Sequence, residues 1–99
     1  MATFDNDSKS KAVELKNKGN QLFGTGKFAE SEAVYTEAIA LDPSEGALYS
    51  NRAAARLKMG NPQDALADAE ACIKIAPAFM KGYHRKALAL SAMGDETGT

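Results

Sequence analysis

Cysteine and histidine are almost missing from this 99-residue chain: Cys72 and His84 stand alone. One thiol forms no internal disulfide, and that scarcity fits a reducing, cytoplasmic location. One imidazole builds no zinc site, and no set of thiols or carboxylates surrounds it. Net charge is missing as well: 12 Lys and Arg stand against 13 Asp and Glu, a formal balance of -1. No global field therefore draws in nucleic acid or a membrane. No apolar run reaches the ~18 residues that a membrane helix needs. Met1 to Ser8 is polar and acidic, unlike a secretory leader. The formal glycosylation sequon Asn6-Asp7-Ser8 is then a chance match. No spacing assembles a nucleophile, a base and an orienting group, which argues against an enzyme. Gly19 to Lys27 is glycine-rich, but a phosphate loop needs Lys and Ser/Thr directly after its second glycine, and a strand before it. Thr25 follows Gly24 here, after a helical stretch, so neither nucleotide, metal nor other cofactor is expected.

What is present is a repeat. Shifted by about 34 residues, the chain aligns with itself. Gly26, Gly60 and Gly94 coincide, as do Pro43 and Pro77. Gly19, Ala53 and Ala87 coincide as small residues, and Leu15, Tyr49 and Tyr83 as large ones. Ile39 pairs with Ile73, Leu41 with Ile75, and Ala38 with Cys72. The glycines mark helix ends that turn left-handed, and the prolines mark helix starts. The small residues let helices approach, with the large ones filling the space beside them.

Five helices follow, with no strand. The first two run from about Ser8 to Phe23 and from about Phe28 to Leu41. Ser44 is expected to cap the third, which ends at Gly60. Asn61-Pro62-Gln63-Asp64 reads as N-cap, N1 proline and acidic first turn of the fourth. Pro77 is expected to open the fifth, which runs to about Met93. The expected organisation is a flexible leader over 1–8, a helical domain over 9–94 and a flexible tail over 95–99.

These residues resemble the tetratricopeptide-repeat (TPR) family. Leu15, Gly19, Leu22, Gly26, Tyr35, Ala38 and Pro43 carry the likeness in the first repeat. Tyr49, Ala53, Gly60, Ala65, Cys72 and Pro77 carry it in the second, and Tyr83, Ala87, Leu90 and Gly94 in the third. The likeness covers roughly Ala12 to Gly94. It implies an all-α fold: a TPR helix-turn-helix superhelix of two full repeats plus the first helix of a third, its concave groove lined by the first helix of each pair. The third repeat has no second helix, so an apolar side of the fifth helix is expected to lie open and to be able to self-associate.

Charge follows the repeat. The first helices of the pairs carry Lys9, Lys11, Lys16, Lys18, Arg52, Arg56, Lys58, Lys81, Arg85 and Lys86, against Glu14 and Glu45. The second helices carry Glu30, Glu32, Glu37, Asp64, Asp68 and Glu70, against Lys27 and Lys74. The groove is therefore expected to be basic and to take an acidic ligand. Helical spacing puts Lys16, Asn20 and Phe23 on one face, Asn51, Ala54 and Lys58 on a second, and Lys81 and Arg85 on a third. Adjoining faces would gather donors suited to a chain terminus with two carboxylates.

Leu15-Lys16-Asn17-Lys18-Gly19-Asn20, Tyr49-Ser50-Asn51-Arg52 and Lys81-Gly82-Tyr83-His84-Arg85-Lys86 are similar to the carboxylate-clamp TPR domains of co-chaperones. That resemblance implies that Lys16, Asn20, Asn51, Lys81 and Arg85 hold the terminal Asp of a Glu-Glu-Val-Asp tail. It gives Lys58 a further ligand contact and places Phe23 and Ala54 beside a valine pocket. The implied partners are the C-terminal peptides of heat shock protein 70 and 90 chaperones, with no nucleic acid and no membrane. The acidic leader looks most like that of the first TPR domain of Hsp-organising co-chaperones. TPR domains heading a protein-phosphatase and a ubiquitin-ligase family share the pattern, so a chaperone-targeting domain of a larger enzyme stays open. So does a purely structural or self-associating segment.

Overall fold

The structure, a computed structural model, describes the backbone of residues 2–96 and the side chains of 7–94. Five helices follow one another: α1 (Ala2–Gly24), α2 (Phe28–Leu41), α3 (Gly46–Lys58), α4 (Pro62–Ile75) and α5 (Met80–Glu96). No strand occurs among the described residues. Each helix packs on the next, and the odd-numbered helices also touch one another, α1 with α3 and α3 with α5. The result is a two-layer slab 17 Å thick, with α1, α3 and α5 in one layer and α2 and α4 in the other.

Two of the three repeated glycines do what their spacing implies. Gly26 and Gly60 take φ of 83° and 82°. Each closes a Schellman motif. Lys27 N donates to Leu22 O at 2.9 Å and Gly26 N to Phe23 O at 3.0 Å; Asn61 N donates to Arg56 O at 2.8 Å and Gly60 N to Leu57 O at 3.1 Å. Gly94 differs. It lies inside α5, which continues to Glu96.

Three helix starts need correction. α1 begins at Ala2, ahead of the expected Ser8: no Gly or Pro in that stretch breaks a helix. Thr97 to Thr99 of the expected tail, like Met1, lie outside the described residues. Ser44 does not cap α3. Glu45 holds the N-cap position, and Ser44 Oγ instead donates to Asp42 Oδ1 at 3.0 Å. Pro77 does not open α5, nor Pro43 α3. Each sits second in a turn that closes on Asp42 O from Glu45 N (3.3 Å) or on Ala76 O from Phe79 N (3.0 Å). The fixed φ of proline suits that turn position as well as it suits N1. Pro62 alone takes the helix-start role, behind Asn61 at the N-cap, whose side chain makes no capping bond. The turn carbonyls are used: Tyr49 OH donates to Pro43 O at 3.0 Å and Tyr83 OH to Pro77 O at 2.9 Å. The repeated tyrosines thus tie the start of each new pair to the link before it.

The core is built from small side chains, which lets the layers approach closely. Ala38, Ala53, Ala55, Ala65, Ala69, Cys72 and Ala89 are fully buried, with Tyr35 and Leu48 as the bulky fillers. Gly19 has the tightest fit: a Cβ there would stand 2.5 Å from Tyr35 Cε1. Ser31 Oγ, fully buried, donates to Gly19 O at 2.9 Å across the same contact. On α5 the large apolar side chains Met80, Tyr83, Leu88 and Leu90 are exposed.

Candidate functional site

Only part of the basic charge on α1, α3 and α5 reaches the groove. Arg52 and Arg56 turn toward the other layer. Arg52 Nε and Nη2 donate to Asp68 Oδ2 and Oδ1 at 2.9 and 2.7 Å, and its Nη1 to Thr36 Oγ1 at 3.0 Å. Arg56 bonds Glu32 at 2.8 Å and Asp68 at 2.9 Å. Burial opposes the Arg56 charge, but the Glu32 bond and the nearby Asp68 charge outweigh it, and the net shift is upward. Asp68 is only 3% exposed, so these arginines are interior counter-ions rather than ligand contacts. At the periphery Lys9 reaches Asp42 at 3.5 Å and Lys86 reaches Glu70 at 3.7 Å. The expected basic groove thus draws on fewer charges than the ten that the first helices carry.

A cleft of about 520 Å³ collects most of the remaining candidates. α1 contributes Lys16, Asn20 and Phe23; α3 contributes Asn51 and Ala54; α5 contributes Lys81 and Arg85. Lys58 lies just outside, on a second cleft of about 530 Å³ that shares Phe23, Ala54 and Arg85 and is floored by Leu57 and Leu88. The eight residues singled out from the sequence thus line two adjoining clefts.

Local packing orients several of them. The Phe23 ring meets Phe28 edge to face, with centroids 5.1 Å apart. Arg85 Nε donates to Ser50 O at 3.2 Å, which anchors the guanidinium between α3 and α5. Asn51 Nδ2 donates to Asn20 Oδ1 at 3.3 Å. The same oxygen accepts the Tyr35 hydroxyl from below. Ala47 and Ala54 leave room between these groups. The sequence reading missed Tyr35, Ala47 and Phe79 as lining residues. Tyr35 was visible only as a repeat position; no helical-face argument within one helix links it to Asn20.

Chemically the cleft offers two ammonium or guanidinium groups on α5, one ammonium on α1 and two amides between them. It holds no carboxylate. Such a set binds an anion with directed donors. His84 lies on α5 beside Arg85 and lines neither cleft. Cys72 is buried, and burial pushes its thiol up. Among the described residues no group of three potential ligands could hold a metal ion, and no helix is long and apolar enough to cross a membrane.

Known proteins share this fold. The tetratricopeptide repeat is matched over residues 15–45 and 47–79. A wheat (Triticum aestivum) Hsp70-Hsp90 organizing protein is 44% identical over 84 residues, covering 85% of this chain. The chain spans only 14% of that relative's length. Among solved structures, the TPR2B domain of yeast Sti1, in its pHsp70 complex, superposes with a TM-score of 0.85 at 34% identity. That match covers 90% of this chain and 71% of the other. The first TPR of Spaghetti (RPAP3), bound to the Hsp90 peptide SRMEEVD, gives 0.84 at 32% identity, covering 86% and 68%.

Proposed function

The chain belongs to the tetratricopeptide-repeat family, and from that premise we propose that its cleft captures the acidic C-terminal tail of a heat shock protein 70 or 90 chaperone. The domain is then a non-catalytic co-chaperone adaptor that works in the cytoplasm. One observation carries this: Lys16, Asn20, Asn51, Lys81 and Arg85 come from three helices to line one cleft. A terminal Asp presents two carboxylates within a few ångströms of each other. Lys16, Lys81 and Arg85 supply the opposing charge, and the two amides supply directed N–H groups. The apolar second cleft, rimmed by Lys58, suits a side chain just upstream of that Asp. Relatives support the reading through their names, and neighbours through bound tails ending in Glu-Glu-Val-Asp.

The affinity expected is ~1–100 μM, because a flexible peptide loses entropy on binding. Calorimetry with an Ile-Glu-Glu-Val-Asp peptide tests the proposal. Lys81→Ala and Arg85→Ala should each cost ~1–3 kcal/mol, the scale of a lost charge-assisted bond. Amidating the peptide's C-terminus should do at least as much damage. Lys27→Ala and Lys74→Ala, on the opposite layer, should change nothing. Equal binding of the amide, or equal damage from both layers, refutes the clamp. The exposed Met80, Tyr83 and Leu90 on α5 favour a second reading, self-association. It predicts a concentration-dependent dimer indifferent to the peptide.

A further inference from the structure

The Tyr35 hydroxyl is an unassigned polar group of the cleft floor. Tyr35 sits on α2, in the layer that contributes no other residue to the cleft, and is 2% exposed. Gly19 leaves its ring no freedom toward α1. Its O–H donates to Asn20 Oδ1, the oxygen that also accepts Asn51 Nδ2 at 3.3 Å. A carboxamide oxygen has two acceptor sites and its nitrogen two donors. Both acceptor sites of Asn20 are satisfied by the protein, so its NH₂ is the end left for the cleft. Flipping the amide would set its NH₂ against the Asn51 NH₂, donor facing donor. Asn20 is itself exposed, so hydrogen bonds rather than packing must hold it.

The repeat adds an internal comparison. About 34 residues on, Asn20 becomes Ala54 and Tyr35 becomes Ala69. The Tyr–Asn pair is present whole in the first repeat and absent whole in the second. Gly19, which makes room for the ring, becomes Ala53 in the same comparison, so ring, amide and the space for the ring change together.

We propose that Tyr35 is a positioning residue for recognition of the peptide terminus: its buried hydroxyl locks the Asn20 amide with N–H toward the ligand, making that position a donor that either oxygen of a carboxylate satisfies but only the oxygen end of a carboxamide does. The proposal rests on the clamp function above and adds a second contribution to its acid-over-amide selectivity, beside the charge of Lys16, Lys81 and Arg85. Without the hydroxyl, Asn20 can turn its oxygen into the cleft and accept from a terminal amide.

The test is calorimetry of wild type, Tyr35→Phe, Asn20→Ala and the double variant against the same peptide as free acid and as amide. Tyr35→Phe should weaken acid binding roughly three- to tenfold, the value of one ordinary hydrogen bond, while amide binding holds or improves. The acid-to-amide ratio therefore falls, which a general loss of packing would not produce. In the Asn20→Ala background, Tyr35→Phe should add nothing. In wild type without peptide, the heteronuclear NOE of Asn20 Nδ2 should report a rigid amide, a measurement that does not depend on the variant folding. An unchanged ratio in Tyr35→Phe, an equal loss in the Asn20→Ala background, or a mobile Asn20 amide in wild type each overturns the proposal. If wild type itself does not distinguish acid from amide, the clamp function has failed instead.

Discussion

Replacing Asp68 by Ala should be among the most damaging single changes outside the apolar core. Its carboxylate is 3% exposed and accepts three charge-assisted hydrogen bonds, two from Arg52 and one from Arg56, at 2.7–2.9 Å. Removing one partner of a buried pair typically costs ~3–5 kcal/mol, because the remaining charge loses its compensation. The two arginines retain some relief, since their side chains are 15% and 19% exposed and keep Thr36 and Glu32. That discount puts the loss at ~2–4 kcal/mol. A domain of this size has about 5–15 kcal/mol in all, and each kilocalorie moves the Tm by about 4–8 °C. Thermal unfolding by circular dichroism should therefore fall by roughly 10–30 °C. The urea midpoint should drop without a change in slope, since the surface exposed on unfolding stays the same. Peptide affinity, measured well below the transition, should hold, because the network faces away from the cleft. A loss under about 0.5 kcal/mol would mean ordinary surface ion pairs and would refute the assignment of Arg52 and Arg56 to the fold.

Three further outcomes follow from the same geometry. Peptide binding should weaken steadily as salt rises from low to moderate ionic strength, where the screening length is about 8–10 Å; titrations showing constant affinity would contradict a basic cleft. Gly19→Ala should destabilise by ~1–3 kcal/mol, as overpacking does, since its Cβ would lie 2.5 Å from the Tyr35 ring; denaturation that matches wild type would show that the ring yields easily. Burial pushes the Tyr35 phenol above its ordinary 10.0 and the Cys72 thiol above 9.0, so the folded state holds these protons more tightly than the unfolded chain. These two groups leave stability unchanged from neutral pH to about pH 9 and lower it above that as they approach ionisation; urea midpoints that rise between neutral and alkaline pH would reverse the sign and contradict their burial.

How far the sequence could be read depended on how many structural solutions a residue type admits. A left-handed helix end at Gly26 or Gly60 has essentially one cheap occupant, so those boundaries were legible. Proline fits both a first helical turn and the second position of a β-turn. Pro62 takes the first role and Pro43 and Pro77 the second, and spacing alone does not separate them. Arg52 sits one residue from Asn51 and Arg56 two from Ala54, yet they serve the opposite layer. A helix turns about 100° per residue, so assigning charge to a helix instead of a face overstated the groove. Lys16, Asn20 and Phe23 were found together because they share a stripe on one helix. Tyr35 escaped because its link to Asn20 runs between helices.

A division of labour within the repeat explains why both fold and candidate site were accessible, though by different signals. Residues that recur about 34 positions apart answer a packing requirement that recurs: Gly26 and Gly60 at the turns, Tyr49 and Tyr83 at the links, Gly19 and Ala53 at the helix crossings. The cleft residues mostly do not recur. Lys16 corresponds to Ser50 and His84, Asn20 to Ala54 and Leu88, and Lys81 to Ala47 and Val13. A ligand with a single terminus has no repeat of its own, so a site for it must break the symmetry of the scaffold that presents it. Ser50 shows the distinction: it is fully buried and its carbonyl anchors Arg85, whereas Lys16 in the same register turns its ammonium to the cleft. Periodic positions should therefore answer to denaturation and aperiodic ones to titration with peptide. Asn51 and Arg85 sharpen the point. They occupy equivalent positions, yet one bonds Asn20 across α1 and α3 while the other is tied to Ser50 across α3 and α5. The scaffold supplies one geometry three times and the sequence fills it with Asn17, Asn51 and Arg85, of which only the last two line the cleft.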